Sequence, residues 1–160
     1  METSKIERTR ARQLYLPFRL LLVTKERQSR TNPASSPICT ALGCGAGCVE
    51  NLEHALIQCQ ANNGVGMALM QTLRLTIPTL TPAEALRLEL NVSAEEELPL
   101  VWLLAATLLS IWEQRQTSQK VQPYLVRANL ESKVNLLRQT SYLNCSTILS
   151  EKIQFMFDNC

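Results

Sequence analysis

Between residues 39 and 59 the chain carries four of its six cysteines and its only histidine, and no other feature narrows the possible folds as far. The stretch runs Cys39-Thr-Ala-Leu-Gly-Cys44-Gly-Ala-Gly-Cys48-Val-Glu-Asn-Leu-Glu-His54-Ala-Leu-Ile-Gln-Cys59. Zinc prefers four soft or borderline donors in a tetrahedron and is commonly held by two short-range ligand pairs, one on a turn and one on a helix. Gly43, Gly45 and Gly47 supply the turn, and either Cys39-x4-Cys44 or Cys44-x3-Cys48 falls within the usual spacing. His54-x4-Cys59 supplies the second pair on an expected helix over Val49–Ala61, with Leu52, Ala55, Leu56 and Val49 on its inner face. Five candidates compete for four places. Cys44, His54 and Cys59 belong to both solutions, and spacing leaves Cys39 and Cys48 as alternatives. A lone cysteine or histidine is ordinarily just packed in a core. Cys145 and Cys160 take that reading, whereas five donors within 21 residues point to a metal site.

The remainder reads as helix. At 160 residues and 46% apolar composition the chain is about one domain with enough material for a core. Residues 1–36 form a basic arm and linker: residues 1–30 hold eight Lys/Arg against three Glu, Pro17 forbids one uninterrupted helix there, and 31–38 is rich in turn formers. Thr81-Pro-Ala-Glu84 and Ser93-Ala-Glu-Glu96 are capping boxes that open helices. The second leads a helix to about Gln119 that is apolar on most of its circumference, with Trp102, Leu103, Leu109 and Trp112 expected at its buried centre. Val126, Leu130, Val134 and Leu137 recur at three- and four-residue steps, and Leu149, Ile153, Met156 and Phe157 mark a last helix over about 146–157. The expected fold is all-α: a small helical bundle (body 64–157) behind an N-terminal zinc-knuckle-like segment (39–59).

Several function classes drop out. The most apolar run, Leu98–Trp112, is too short for a transmembrane helix and contains Pro99. Pro17 and Arg19 interrupt the N-terminal apolar run, so it reads poorly as a signal peptide, and Glu2 and Glu7 count against a mitochondrial presequence. An intracellular, reducing setting, cytoplasm or nucleus, is the expectation. Asp158 is the only aspartate, there is no Gly-rich phosphate loop, and no small-molecule site suggests itself. A zinc held by four protein donors keeps no open position to activate water. The chain is expected not to be an enzyme.

Pro37-x-Cys39, Cys44-Gly45 and Glu50-Asn-Leu-Glu-His54-Ala-Leu-Ile-Gln-Cys59 resemble the zinc-binding domain at the C-terminus of non-LTR (LINE-type) retrotransposon reverse transcriptases. The likeness is specific over 37–59 and looser to about 155, through Leu98-Pro-Leu-Val-Trp102, Ile111-Trp-Glu-Gln-Arg115 and Leu130–Thr140. It implies that 37–160 is one such domain and that Cys39, Cys44, His54 and Cys59 hold Zn2+, with Cys48 spare. The family's first cysteines are usually two residues apart, against four here. The resemblance further implies RNA or DNA as partner, bound with low specificity and high salt sensitivity. Arg8, Arg10, Arg12, Arg19, Lys25, Arg27 and Arg30 are the candidate phosphate contacts, and Tyr15 or Phe18 could stack on a base. The alternative is a helical protein-interaction module, or a retroelement remnant with a degenerate metal site, whose partner surface is the helical body.

Overall fold

The computed structural model describes Thr9, Gln13 and residues 22–118, 120–139 and 143–160. A short helix, α1 (Lys25–Thr31), starts where the Thr24 hydroxyl accepts the Arg27 N–H. It ends in an Asn32–Ser35 turn, with the Asn32 carboxamide taking the Ala34 N–H. After the cysteine-rich loop come a π-type turn (His54–Gln58) and a 3-10 turn (Gln60–Asn62). The helices α2 (Val65–Arg74), α3 (Pro82–Arg87), α4 (Ala94–Ser118), α5 (Pro123–Gln139) and α6 (Leu143–Asp158) follow. Among the described residues there is no strand, only an isolated antiparallel bridge between Ile38 and Val49. The fold is all-α.

α4 is the hub, packed against α2, α5, α6 and the π-type turn. Leu100, Val101, Leu103, Leu104, Leu108 and Ile111 of this helix are fully buried. Each such side chain contributes roughly 1.5–3 kcal/mol of transfer free energy. Trp102, Leu109 and Trp112 do not sit at the centre as expected; they are only half-buried. The indole N–H of Trp102 finds no partner among the described residues. Leucine, with no polar atom to satisfy, fills the closest contacts more cheaply. The periodic residues of α5 (Val126, Leu130, Val134, Leu137) and of α6 (Leu149, Ile153, Met156) are buried as their spacing predicts, and Phe157 is half-buried. α3 begins with the capping box: Thr81 Oγ1 accepts from the Glu84 N–H, and the Glu84 carboxylate accepts from the Thr81 N–H. Before α4 the Ser93 hydroxyl bonds the Glu96 carboxylate at 3.0 Å. No described helix is long and apolar enough to cross a membrane.

Candidate metal centre

The first half of the centre is a loop closed at its base. The Cys39 N–H donates to the Cys48 carbonyl at 2.8 Å and the Glu50 N–H to the Pro37 carbonyl at 2.9 Å, so residues 39–48 bulge out from a two-rung ladder. Inside the loop the Cys44 N–H turns back onto the Ala41 carbonyl at 3.1 Å. Gly43 and Gly47 hold φ of 84° and 85°, a left-handed conformation that glycine adopts without a Cβ penalty.

The second half departs from the expected helix over Val49–Ala61. Val49 belongs to the Ile38 bridge and is exposed, so it lines no inner face. Helical structure begins only at Leu52, where the Asn51 carboxamide accepts the His54 N–H at 2.8 Å. The turn then widens, because the Cys59 N–H bonds the carbonyl of His54, five residues back, at 2.8 Å. The reason is geometric. In an α-helix five steps rotate a side chain by about 140°, which would turn Cys59 away from His54. The wider turn, with Cys59 itself extended (φ −62°, ψ 131°), returns the thiol to the imidazole side. The Asn62 amide donates to the Ala55 carbonyl at 2.9 Å and seals the far end.

Cys39, Cys44, His54 and Cys59 converge: their donor atoms all lie within 4.8 Å of one another and could hold a metal ion. Cys39 Sγ is 3.8 Å from Cys59 Sγ, and Cys44 Sγ is 3.4 Å from His54 Nε2. Cys48 contributes its carbonyl to the base of the loop, and its thiol stands outside this group. All six cysteines are free thiols, with Cys145 buried in the bundle and Cys160 exposed. Burial raises the Cys39 thiol above its ordinary pKa. Desolvation first, then the neighbouring thiols Cys39 and Cys59, push Cys44 up to about 12. Burial, then the Arg115 charge, lowers His54, so the imidazole is the neutral form that ligates.

Behind the thiols stand three buried polar residues, Arg115, Glu50 and Asn62, to which the sequence pattern assigned no role in the centre. Arg115, near the end of α4 and 7% exposed, donates through Nη2 to Glu50 Oε2 at 2.9 Å and to Cys39 Sγ at 3.6 Å. Through Nη1 it reaches Asn62 Oδ1 at 3.4 Å. Glu50 Oε1 in turn accepts the Lys25 N–H at 3.1 Å, at the start of α1. One signal was available: Leu104, Leu108, Ile111 and Arg115 fall at four- and three-residue steps, which extends the buried stripe of α4 to a charged residue.

Of the candidate phosphate contacts, Arg8, Arg10, Arg12 and Arg19, like Tyr15 and Phe18, lie outside the described residues. Lys25, Arg27 and Arg30 lie on α1. Arg27 donates to the Leu22 carbonyl at 2.9 Å and Arg30 pairs with Glu26 at 2.6 Å, so both are engaged within the chain. No family model matches the chain, and neither the curated proteins nor the solved structures yield a match. The likeness of residues 37–59 to the retrotransposon domain therefore rests on the residue pattern alone.

Proposed function

We propose that the chain is a non-catalytic, zinc-binding and nucleic-acid-associated module, similar in its knuckle to the C-terminal domain of non-LTR reverse transcriptases but without a polymerase. The observation that carries the metal half is the spacing of the donors. Zn–S bonds of ~2.3 Å and Zn–N bonds of ~2.05 Å at tetrahedral angles place two sulfurs about 3.8 Å apart and a sulfur and nitrogen about 3.6 Å apart. Two of the six separations here are 3.8 and 3.4 Å, and all six lie within 4.8 Å, close enough for an ion to draw the donors onto a tetrahedron. Three thiolates and one imidazole fill a tetrahedron completely, which is the donor set of a structural rather than a catalytic ion. Bound there, the ion would cross-link the Cys39–Cys48 loop to the turn carrying His54 and Cys59, so its binding energy is folding energy.

The nucleic-acid half is supported by the charge excess of residues 1–30 and by the resemblance. Zinc content of protein purified without added metal, with thermal melting before and after a chelator, tests the first half. One zinc per chain and a chelator-sensitive melt are expected; no zinc and an unchanged melt refute it. Salt titration of single-stranded RNA binding tests the second. With about four to seven phosphate contacts on a single strand, log K should fall against log salt with a slope of roughly −3 to −5, and affinity independent of salt refutes it. A second reading draws on Tyr124, Leu125 and Leu136, which α5 leaves exposed. On that reading the helical body binds a protein partner, and changing Arg8, Arg10, Arg12 and Arg19 to Gln leaves function intact instead of abolishing it.

A further inference from the structure

We propose that Arg115 is a positioning residue for the metal, delivering a hydrogen bond to the Cys39 sulfur whose strength Glu50 controls; this rests on the metal reading above. The burial of the centre motivates it. A divalent ion with three thiolates and a neutral imidazole carries one net negative charge, in a site where Cys39 and Cys59 are only 7% and 2% exposed. Glu50, itself 8% exposed, already pairs with the Arg115 charge, so the guanidinium does not neutralise the centre; what it offers the buried sulfur is a directed N–H. Arg115 is the only buried Lys or Arg among the described residues, and it reaches this site from a helix 76 residues along the chain.

The division of its donors gives the proposal its content. Nη2 carries two N–H groups, and its two acceptors are Cys39 Sγ at 3.6 Å and Glu50 Oε2 at 2.9 Å. Glu50 is fixed independently, because its other oxygen takes the Lys25 N–H and its backbone carbonyl takes the Glu26 N–H at 3.2 Å. The carboxylate therefore draws the guanidinium away from the sulfur by a set amount. A stronger N–H bond to a metal-bound thiolate withdraws electron density from sulfur, and a weaker one leaves it more electron-rich. Loss of partners that orient ligands in this way typically costs 10–100-fold in metal affinity.

The experiment loads the full chain with Co2+ and records the thiolate-to-cobalt charge-transfer band and the Co2+ affinity. Arg115→Met should move the band to lower energy and weaken binding about 10–100-fold. Arg115→Lys, which keeps the charge but loses the planar fork, should recover part of both. Glu50→Gln should move the band the opposite way, to higher energy, since it frees the guanidinium for sulfur. A merely structural Arg115–Glu50 pair would make the methionine and glutamine variants behave alike, so shifts of the same sign, or none, overturn the proposal. If Arg115→Met loses its helical circular dichroism, the decision passes to Glu50→Gln, and an unshifted band there overturns it. Failure of the unaltered chain to give a tetrahedral cobalt–thiolate spectrum instead overturns the metal reading itself.

Discussion

Gly66→Ala provides a sharp test of the packing, because local and tertiary reasoning disagree about its sign. Gly66 lies in the first turn of α2, where helix propensity alone would favour alanine by about 1 kcal/mol. A Cβ built there would stand 2.5 Å from the Ile57 carbonyl oxygen, 2.6 Å from Ile57 Cα and 2.6 Å from the Leu56 carbonyl oxygen. All three are backbone atoms of the π-type turn, which no rotamer change can move. Overpacking of this kind costs ~1–3 kcal/mol, and with backbone on every side the upper end applies. After the propensity gain, a net loss of about 2 kcal/mol is expected. Urea unfolding followed by circular dichroism should show a lower midpoint at unchanged m-value. The displaced turn carries His54 and leads into Cys59, so metal affinity should fall too. Gly64→Ala is the control: its surroundings are open, but its φ of 79° makes alanine cost about 1–2 kcal/mol for conformational reasons alone. A Gly66→Ala protein as stable as the parent would refute the close approach of α2 to the turn.

Four further outcomes are expected. Cys48→Ser should retain metal at the parent's stoichiometry while Cys39→Ser loses it, read by elemental analysis; the reverse would reassign the loop. Leu108→Ala, at the fully buried centre of α4, should cost ~2–5 kcal/mol in urea unfolding. Leu136→Ala, half-exposed on α5, should change stability by no more than about 0.5 kcal/mol. Thr81→Ala should cost about 1 kcal/mol as a lost N-cap. The Thr81 N–H, then its hydroxyl, hold the Glu84 carboxyl below the ordinary carboxylate range. The cap therefore stabilises above the unfolded-state pKa of Glu84 and fades as pH falls through its lowered folded value. In the alanine variant an NMR titration of Glu84 should move upward toward the ordinary range.

Much of the bundle was legible because its signals are local. The buried faces of α5 and α6 and the Thr81 box depend on residues three or four apart, which sequence displays directly. Within α4 nearly every position is apolar, so periodicity does not say which residues face the centre, and size favoured the tryptophans over the leucines that occupy it. The donor group was legible as a set, since it spans 21 residues. Spacing could not choose between Cys39 and Cys48, because both stand at the base of one loop, joined by a backbone hydrogen bond, and only the tertiary fold brings the Cys39 sulfur to Cys44, His54 and Cys59. Nor could it show the wide turn at His54, which α-helical periodicity mimics up to Gln58. Arg115 and Asn62 escaped for a different reason. Their partners lie 76 and 53 residues apart, a separation that no local pattern encodes.

The chain order of the centre has a consequence for its biosynthesis. Beyond the guanidinium, the turn that follows Cys59 is clasped by the segment before α5: the Val121 N–H donates to the Ala61 carbonyl at 2.8 Å, and the Asn63 amide to the Val121 carbonyl at 2.6 Å. A ribosome adding ~5–20 residues per second needs roughly 3–12 s to travel from Cys59 to Val121. For that interval the nascent chain holds every donor and none of the clasp, so capture of an ion, oxidation of the thiols and shielding by a chaperone compete before the bundle exists to decide among them.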